Sequence, residues 1–216
     1  MAQIFHPASD FHLRLVVLGL LLLLLVAALV WRGSLASQPR LRQPVEQPVP
    51  FSHKHHVGEV GLDCRYCHTS VEDSRYAGIP PTHTCMTCHS RLFSAAPMLA
   101  PVRQSLALDQ RLHWNPVNIL PDFVYFDHSV HVNKGVGCVS CHGRIDRMPL
   151  TFRTAPLTMR WCLDCHRDPA PRLRPREQVF AMDWQPQGDP RTLGTQLLDA
   201  YHVRSGQLAD CSVCHR

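Results

Sequence analysis

The sequence predicts a mainly α-helical chain with much irregular structure, little regular sheet and one N-terminal apolar helix. Three observations support this fold class. An uncharged apolar run, LVVLGLLLLLLVAALVW, occupies residues 15–31. No long alternating or helical apolar pattern follows it, and 18 prolines and 11 glycines among 216 residues interrupt regular elements. All ten cysteines fall into C-x-x-C-H motifs, which indicates a chain wrapped around bound prosthetic groups.

The C-x-x-C-H motif combines two thiols with an adjacent imidazole. The thiols can form thioethers with the vinyl groups of one haem, and the histidine can bind its iron. A single motif also fits a redox dithiol or half of a zinc site. Five complete copies favour five covalently bound haem c groups, because zinc ribbons do not require a histidine after every second cysteine and a disulfide scaffold requires none.

The motifs are numbered 1 to 5 in chain order. The predicted attachment residues are Cys64, Cys67, Cys85, Cys88, Cys138, Cys141, Cys162, Cys165, Cys211 and Cys214. The predicted proximal iron ligands are His68, His89, His142, His166 and His215.

The composition agrees with a haem protein. Aromatic residues make up only 7% of the chain, so the polypeptide alone offers little core and the porphyrins would supply the missing apolar mass. The formal net charge is +5. Each oxidised haem, with two propionates, contributes about one negative charge and brings this total to roughly zero. No basic run is interleaved with aromatic residues, and we predict no nucleic-acid partner.

Residues 1–36 are predicted to form a membrane anchor with a transmembrane segment at about 11–31. The apolar run covers roughly 25 Å as a helix. Phe11 and Leu13, with Arg14 extending towards the headgroups, bring it near the roughly 30 Å that a bilayer requires. A cleaved signal peptide with a site at residues 34–36 is the alternative, although the run is longer than the usual apolar region of such peptides.

The orientation of this anchor is predicted from where haem c is attached rather than from the charges that flank the helix. Arg32, Arg40 and Arg42 follow the helix, which the positive-inside tendency does not favour. Haem c attachment takes place outside the cytoplasm, so we expect a single-pass protein of the cytoplasmic membrane with its haem domain on the periplasmic face. Residues 37–50, with Pro39, Pro44, Pro48 and Pro50, read as a semi-extended stalk of up to roughly 40 Å.

The rest of the chain contains a tandem duplication. FSHKHH at 51–56 matches FDHSVH at 126–131, and each is followed by two C-x-x-C-H motifs. We therefore predict a first dihaem module at 51–97 and a second at 126–166. A linker at 98–125 includes a short helix that begins near Pro101. A strap at 167–216, with a short helix around 192–201, carries the fifth haem.

The F-x-H-x-x-H pattern predicts the distal iron ligands. A second imidazole closes the open face of a haem and suits it to electron transfer. Histidines three residues apart lie on one side of a helical turn and can serve two neighbouring haems. The predicted distal ligands are His53, His56, His128 and His131, whereas His55 is expected to be exposed. For the fifth iron we favour Met159, with Met148, His202 and His113 as alternatives.

Several stretches together resemble the pentahaem cytochrome c subunit of alternative complex III. They are FSHKHHVGEVGLDCRYCHTSVEDSRYAGIPPTHTCMTCHS, PMLAPVRQS, LPDFVYFDHSVHVNKGVGC, TMRWCLDCHR and the final CSVCHR. The F-x-H-x-x-H motif more loosely resembles cytochromes c3 and c7. Alternative complex III is a bacterial quinol:electron-acceptor oxidoreductase, so the resemblance implies a subunit that passes electrons from quinol to a cytochrome or oxidase. It also implies a multispan quinol-binding partner, an iron–sulfur subunit and a monohaem cytochrome c.

Two functions of other classes stay open. A multihaem reductase of nitrite or another small oxyanion would need one open, five-coordinate iron. A stand-alone anchored quinol dehydrogenase would oxidise quinol on this chain itself. From the residues alone, the sequence predicts a membrane-anchored five-haem electron conduit. As an electron-transfer subunit of a quinol:electron-acceptor oxidoreductase, it is expected not to be catalytic alone.

Overall fold

The computed structural model describes residues 7–36 and 41–215. The chain divides after Arg40 into two compact units. The α-helices are α1 Pro7–Ala36, α2 Cys64–Cys67, α3 Thr82–His89, α4 Ala100–Ala107, α5 His128–Asn133, α6 Val139–His142, α7 Met159–Arg167, α8 Pro190–Ala200 and α9 Cys211–Cys214. A π-helical turn spans Lys54–Glu59, and short 3₁₀ turns span Pro97–Leu99, Ile145–Arg147, Ala170–Arg172, Arg176–Gln178 and Ser205–Gln207.

Within the described residues, β-structure is limited to isolated bridges. These bridges pair Pro44 with Phe152, Val124 with His215, and Val136 with Leu173. The predicted fold class, mainly helical with much irregular structure and little sheet, is confirmed. The helix expected near Pro101 is α4, and the helix expected around 192–201 is α8.

The N-terminal unit is the helix α1. Its apolar part, Ser9–Ser34, is long enough to cross a bilayer, and its side chains are exposed. The helix extends beyond the predicted segment 11–31 at both ends. Its length and composition suit a membrane anchor, and a signal sequence near the N-terminus would share both properties.

The predicted stalk is only in part a separate segment. Residues 37–40 lie outside the described part of the chain, but residues 41–50 belong to the C-terminal unit. The Arg42 amide donates to the Arg153 carbonyl at 2.8 Å, and the Val45 amide donates to the Thr151 carbonyl at 3.2 Å. Val49 is buried against Leu99. These contacts hold residues 41–50 on the haem modules, so the expectation of a free spacer through residue 50 is not met there.

The C-terminal unit has small apolar clusters rather than one large core. Val71, Val132 and Val179 form one cluster, in which residues of the first module, the second module and the strap meet. Among the described residues, the largest side chain that is fully buried is a valine, Val179. This scarcity of buried apolar volume is what the low aromatic content predicts for a chain built around porphyrins.

Polar side chains cap the starts of α2, α5 and α7. The Asp63 carboxylate accepts from the Arg65 amide at 2.8 Å at the start of α2, and Thr158 caps α7 through the Trp161 amide. Asp127 caps α5 in the same way. Because side-chain caps satisfy free N–H groups at a helix start, they allow turns this short to form in a fixed register.

The strap is held by α8, which packs directly on the turn at Ala170–Arg172. A Cβ atom added to Gly194 would lie 1.7 Å from the Ala170 carbonyl oxygen. Only a glycine allows this close approach of the two backbones. The contact positions the chain that leads from motif 4 to motif 5.

Candidate haem-binding sites

Each C-x-x-C-H motif lies on a helical turn that carries its two thiols and its imidazole. In motifs 1, 3 and 5 the histidine amide donates to the carbonyl of the first cysteine at 2.9 Å. None of the ten cysteines forms a disulfide. Each turn therefore offers two thiols and one imidazole, the groups that covalent haem attachment requires.

The structure brings three of the predicted distal histidines opposite a motif histidine. The ring centroids are 6.1 Å apart for His56 and His89, 6.4 Å for His128 and His142, and 6.1 Å for His131 and His166. Two imidazoles on opposite sides of one metal have centroids about 6 Å apart, because each metal–nitrogen bond is about 2 Å long. All three spacings fit an iron between the rings.

His53 lies near the histidine of motif 1. Burial, followed by the nearby His68, lowers the pKa of His53 to about 4. The duplicated modules thus place equivalent histidines in equivalent positions. In the second module, His128 lies opposite His142 and His131 lies opposite His166. In the first module, His56 lies opposite His89, and His53 lies near His68.

The phenylalanine of this pattern holds both histidines. The Phe51 ring meets His53 edge-on at 4.9 Å and stacks on His56 at 4.4 Å. In the second module, Phe126 contacts His128 at 4.7 Å and His131 at 4.5 Å with the same two geometries. Such ring contacts restrict imidazole rotation, which gives the aromatic residue in the motif a structural role.

Between the first distal histidine and the first cysteine, the first module has one residue more than the second. The backbone accommodates this extra residue locally. The first cysteine of the motif follows eleven residues after His53 but ten after His128. The His56 carbonyl accepts from the Leu62 amide, whereas the equivalent His131 carbonyl accepts from the Val136 amide. The wider π turn at Lys54–Glu59 accommodates the extra residue without moving the histidines out of place.

Every histidine of the C-x-x-C-H and F-x-H-x-x-H motifs has a hydrogen-bonding partner at Nδ1. Where that partner is an oxygen atom, Nδ1 can donate to it, which leaves Nε2 free for a metal. At His142 the partner is the amide nitrogen of Asn118, which is a donor. Two histidines have side-chain partners, Thr151 for His53 (2.9 Å) and Asn118 for His142 (3.3 Å). The other seven have backbone carbonyls as partners. These are the carbonyls of Ser52 for His56 (2.8 Å), Gly78 for His68 (2.7 Å), Leu92 for His89 (3.0 Å), Arg75 for His128 (2.8 Å), Asp127 for His131 (2.6 Å), Leu208 for His166 (2.9 Å) and Phe123 for His215 (3.1 Å). Such partners fix the tautomer and orientation of metal-binding imidazoles.

Burial lowers the pKa of three of these imidazoles, those of His53, His131 and His142. It is the main cause that lowers the pKa of His142 to about 4, with His128 as the next cause. It also lowers the pKa of His131. A neutral imidazole with a free lone pair on Nε2 is the form that binds iron.

The thiols of different motifs lie close enough to affect one another. Burial, followed by the charge of Cys64, raises the pKa of Cys138 to about 12. Burial, followed by Cys165, raises the pKa of Cys141 to about 11. Burial and then Cys214 raise the pKa of Cys162. Motif 3 therefore lies beside both motif 1 and motif 4, and motif 4 lies beside motif 5.

Motifs 1 and 2 are joined directly. The Tyr66 hydroxyl, between the cysteines of motif 1, lies 3.0 Å from the Thr87 hydroxyl of motif 2. Burial, followed by Cys85, raises the pKa of Cys67. The five candidate sites thus form one connected series.

The remaining predicted residues are not brought together as pairs. The ring beside His215 is Phe123, at 5.8 Å, and is not a second imidazole. Met159 is 63% exposed and Met148 is 3% exposed. His202 is exposed and has a positive φ of 52° after the end of α8. His55 is exposed and its Nδ1 contacts the Glu59 carboxylate at 2.9 Å, outside the imidazole pairs.

The hydrogen-bonding partners of Nδ1 were not identified from the sequence. Most are backbone carbonyls, which every residue has and no side chain marks. Thr151 and Asn118 use side chains, but each lies far from its histidine along the chain. No short-range motif could have revealed either one.

The geometry also bears on the zinc alternative. In the part of the chain that the structure describes, no three side chains of histidine, cysteine, aspartate or glutamate converge on a point that could hold a metal ion. A structural zinc site needs four such ligands around one centre. The motifs instead present pairs of thiols at one position and opposed imidazoles at another, which fits a porphyrin between them.

Known proteins resemble this chain in two comparisons. Residues 124–216 match the family described as cytochrome c7 and related cytochrome c. The chain is 38% identical over 119 residues to the menaquinone reductase multihaem cytochrome c subunit of Nitratidesulfovibrio vulgaris strain Hildenborough. That similarity covers 55% of this chain and 55% of the relative, so the chain spans about half the length of the curated relative it matches. Together with the helical, loop-rich fold, these matches make residues 124–216 similar to a multihaem cytochrome domain of the c7 type.

Proposed function

We propose that the chain is the membrane-anchored pentahaem cytochrome c subunit of a quinol:electron-acceptor oxidoreductase that resembles alternative complex III. The observation that carries this proposal is the set of opposed imidazole pairs with centroids 6.1–6.4 Å apart. Each pair leaves no coordination position for a substrate. When bound, the haems supply irons that accept and donate single electrons, and ligation by two imidazoles suits that role.

The contacts between motifs support a spatial order of the five sites that differs from their order in the chain. Tyr66 and Thr87 join motifs 1 and 2. The cluster of Val71, Val132 and Val179 joins the two modules beside Cys138. We propose the order 2, 1, 3, 4, 5. The modules then meet through sites 1 and 3, and the strap adds site 5 beyond site 4.

The fifth site is the one for which the structure supplies no second imidazole among the described residues. Met159 lies one helical turn before Cys162. The pKa of the Cys162 thiol is raised by burial and then by the nearby Cys214 of motif 5. Residues three apart on a helix share a face, so the exposed Met159 side chain is on the side of motif 5. We therefore propose Met159 as its distal ligand, which would give this haem a higher potential than the others.

The proposed partners follow from the role of this chain as an electron carrier. A single helix has no enclosed pocket for a quinol, so quinone chemistry would belong to a multispan membrane subunit. An iron–sulfur subunit and a monohaem cytochrome c would complete the complex at the periplasmic face of the cytoplasmic membrane. The chain alone would not be an enzyme.

A second function has a specific observation behind it. The relative that matches over half of this chain is named as part of a menaquinone reductase, in which electrons pass towards the quinone. The same series of sites could carry electrons in that direction. The stand-alone quinol dehydrogenase would also use the series, but with quinol oxidised on this chain.

One experiment separates these functions. In the assembled complex, a quinol analogue should reduce the haems rapidly, whereas the purified chain with its haems should respond to dithionite and hardly at all to the quinol. Quinol oxidation by the purified chain would favour the dehydrogenase. Haems of the complex that are oxidised by a quinone but not reduced by a quinol would favour the reductase direction, and turnover of nitrite would contradict electron transfer as the role.

A further inference from the structure

Arg174 is a buried cation without an acidic partner. Its side chain is 8% exposed, and its Nη1 donates to the carbonyls of Ala181 at 3.0 Å and Gln178 at 3.3 Å. Its guanidinium stacks 5.0 Å above the ring of Trp184. Its Nε is buried and has no hydrogen-bond partner among the described residues. No carboxylate in the described part of the chain lies within ion-pair distance of it.

The guanidinium lies against the attachment turn of motif 3. A Cβ atom added to Gly137 would be 2.4 Å from both Cζ and Nε of Arg174, so the guanidinium packs on the residue before Cys138. The Arg174 amide donates to the Gly135 carbonyl at 2.9 Å, and the Cys138 amide donates to Val179 at 3.1 Å. These bonds hold the strap alongside motif 3.

A charge in this position is costly for folding. Burying an ion without a counter-ion is unfavourable, and carbonyl oxygens compensate only part of the lost hydration. Arginine cannot escape the cost by losing its proton, because its pKa stays too high in proteins. A side chain that only fastened the strap could do so as a neutral residue. No side chain of the described residues offsets this charge, and the turn on which it packs is the attachment turn of motif 3, so the charge would act on the haem bound there.

That effect follows from the neighbourhood of the charge. A nearby positive charge in a medium of low dielectric constant favours the reduced state of a redox centre, because reduction lowers the positive charge on the iron. Neighbouring charges and burial are among the ways in which a protein sets a haem potential.

We propose that Arg174 is an electrostatic tuning residue that raises the reduction potential of the haem at motif 3. The inference rests on the proposed haem at that motif. In the proposed order, site 3 is the central site through which electrons cross between the modules. A raised potential there makes transfer from site 1 into the second module favourable.

The test is a redox titration of the complete haem-loaded protein, followed by visible absorption and electron paramagnetic resonance. Arg174→Met keeps an apolar stem and removes the charge. It should shift the ferric-to-ferrous ratio of one haem at a given potential by about tenfold, which lowers that midpoint by about 59 mV. Arg174→Lys retains the charge and should restore most of the potential.

Two further variants complete the test. Arg176 lies in the same strap, with its guanidinium 4.3 Å above Tyr201, but it is exposed. Arg176→Gln is the matched control and should leave all five midpoints unchanged. Arg174→Gln also removes the charge but keeps an amide that can donate to the neighbouring carbonyls, and it should lower the same midpoint even if Arg174→Met does not fold.

The outcomes are distinct. If Arg174→Met or Arg174→Gln carries all its haems with unchanged midpoints, the proposal is overturned. If Arg174→Lys shifts the midpoint as far as Arg174→Met does, the effect belongs to packing and the tuning role is also overturned. A failure of the proposed function would give a different result. The haems of the wild-type complex would then not be reduced by quinol, whatever their midpoint potentials.

Discussion

Nδ1 of His53, in the first module, is paired with the hydroxyl of Thr151, in the second module, at 2.9 Å. The reverse contact also exists, since Nδ1 of His128 in the second module donates to the Arg75 carbonyl in the first at 2.8 Å. Each module thus orients the first distal histidine of the other. Docking of the two modules and preparation of their central iron sites are a single event.

The crossed contact predicts a selective effect of Thr151→Val. This change preserves the shape of the side chain but removes the oxygen that orients His53. Partners of this kind typically contribute about 10–100-fold to metal affinity, so imidazole binding at site 1 should weaken by that factor. Carbon monoxide or azide binding to one haem measures the loss. Thr151→Ser keeps the hydroxyl, so the haems of this variant should bind neither carbon monoxide nor azide.

The paired imidazoles predict which histidines close an iron. His56→Ala removes the ring opposite His89 and should create one high-spin haem that binds carbon monoxide, about one-fifth of the total. His55→Ala is the control, because His55 is exposed and its Nδ1 contacts the Glu59 carboxylate, although its ring also meets that of His56 edge-on at 5.5 Å. Identical spectra for the two variants would contradict the assignment of the distal ligands.

The fifth site can be tested with two methionine variants of equal volume. Met159→Leu removes the sulfur beside motif 5 and should convert one haem to the high-spin form with a lower potential. Met148→Leu alters a buried side chain at a cost of less than about 1.5 kcal/mol and should leave the spectrum unchanged. A high-spin haem in the Met148 variant alone would reverse the choice between them.

The close contact at Gly194 predicts that the strap is sensitive to a single methyl group. Gly194→Ala forces α8 away from the Ala170 carbonyl and should cost about 1–3 kcal/mol, as overpacking commonly does. We expect the thermal midpoint to fall by about 2–10 °C, with loss of the His166 orientation that Leu208 provides. Gly206 has no atom within 4 Å of an added Cβ, so Gly206→Ala should have little effect.

The motif count predicts the mass of the mature protein. Denaturing mass spectrometry should show the polypeptide with five haems attached and no thiol available for alkylation, because all ten cysteines belong to C-x-x-C-H motifs. Fewer haems, or bound zinc with reactive thiols, would contradict the stoichiometry.

What could be predicted from the sequence depends on how far apart the interacting groups are along the chain. The two cysteines and the histidine of each motif lie within five residues, so their spacing alone indicates the chemistry. The same holds for F-x-H-x-x-H, where the spacing in both copies predicts His53 and His56 as a pair that serves two sites. The apolar helix α1 is likewise a local property, although its ends lie outside the predicted 11–31.

Only the tertiary structure decided which groups meet across the chain. It paired His131 with His166, placed motif 1 beside motif 3, and packed residues 41–50 on the modules where a free stalk was expected. It also chose the carbonyls of Gly78, Leu208 and Phe123 as partners of the histidines. Every residue has a carbonyl, so its use as an acceptor leaves no mark in the sequence and is determined by where the folded backbone passes.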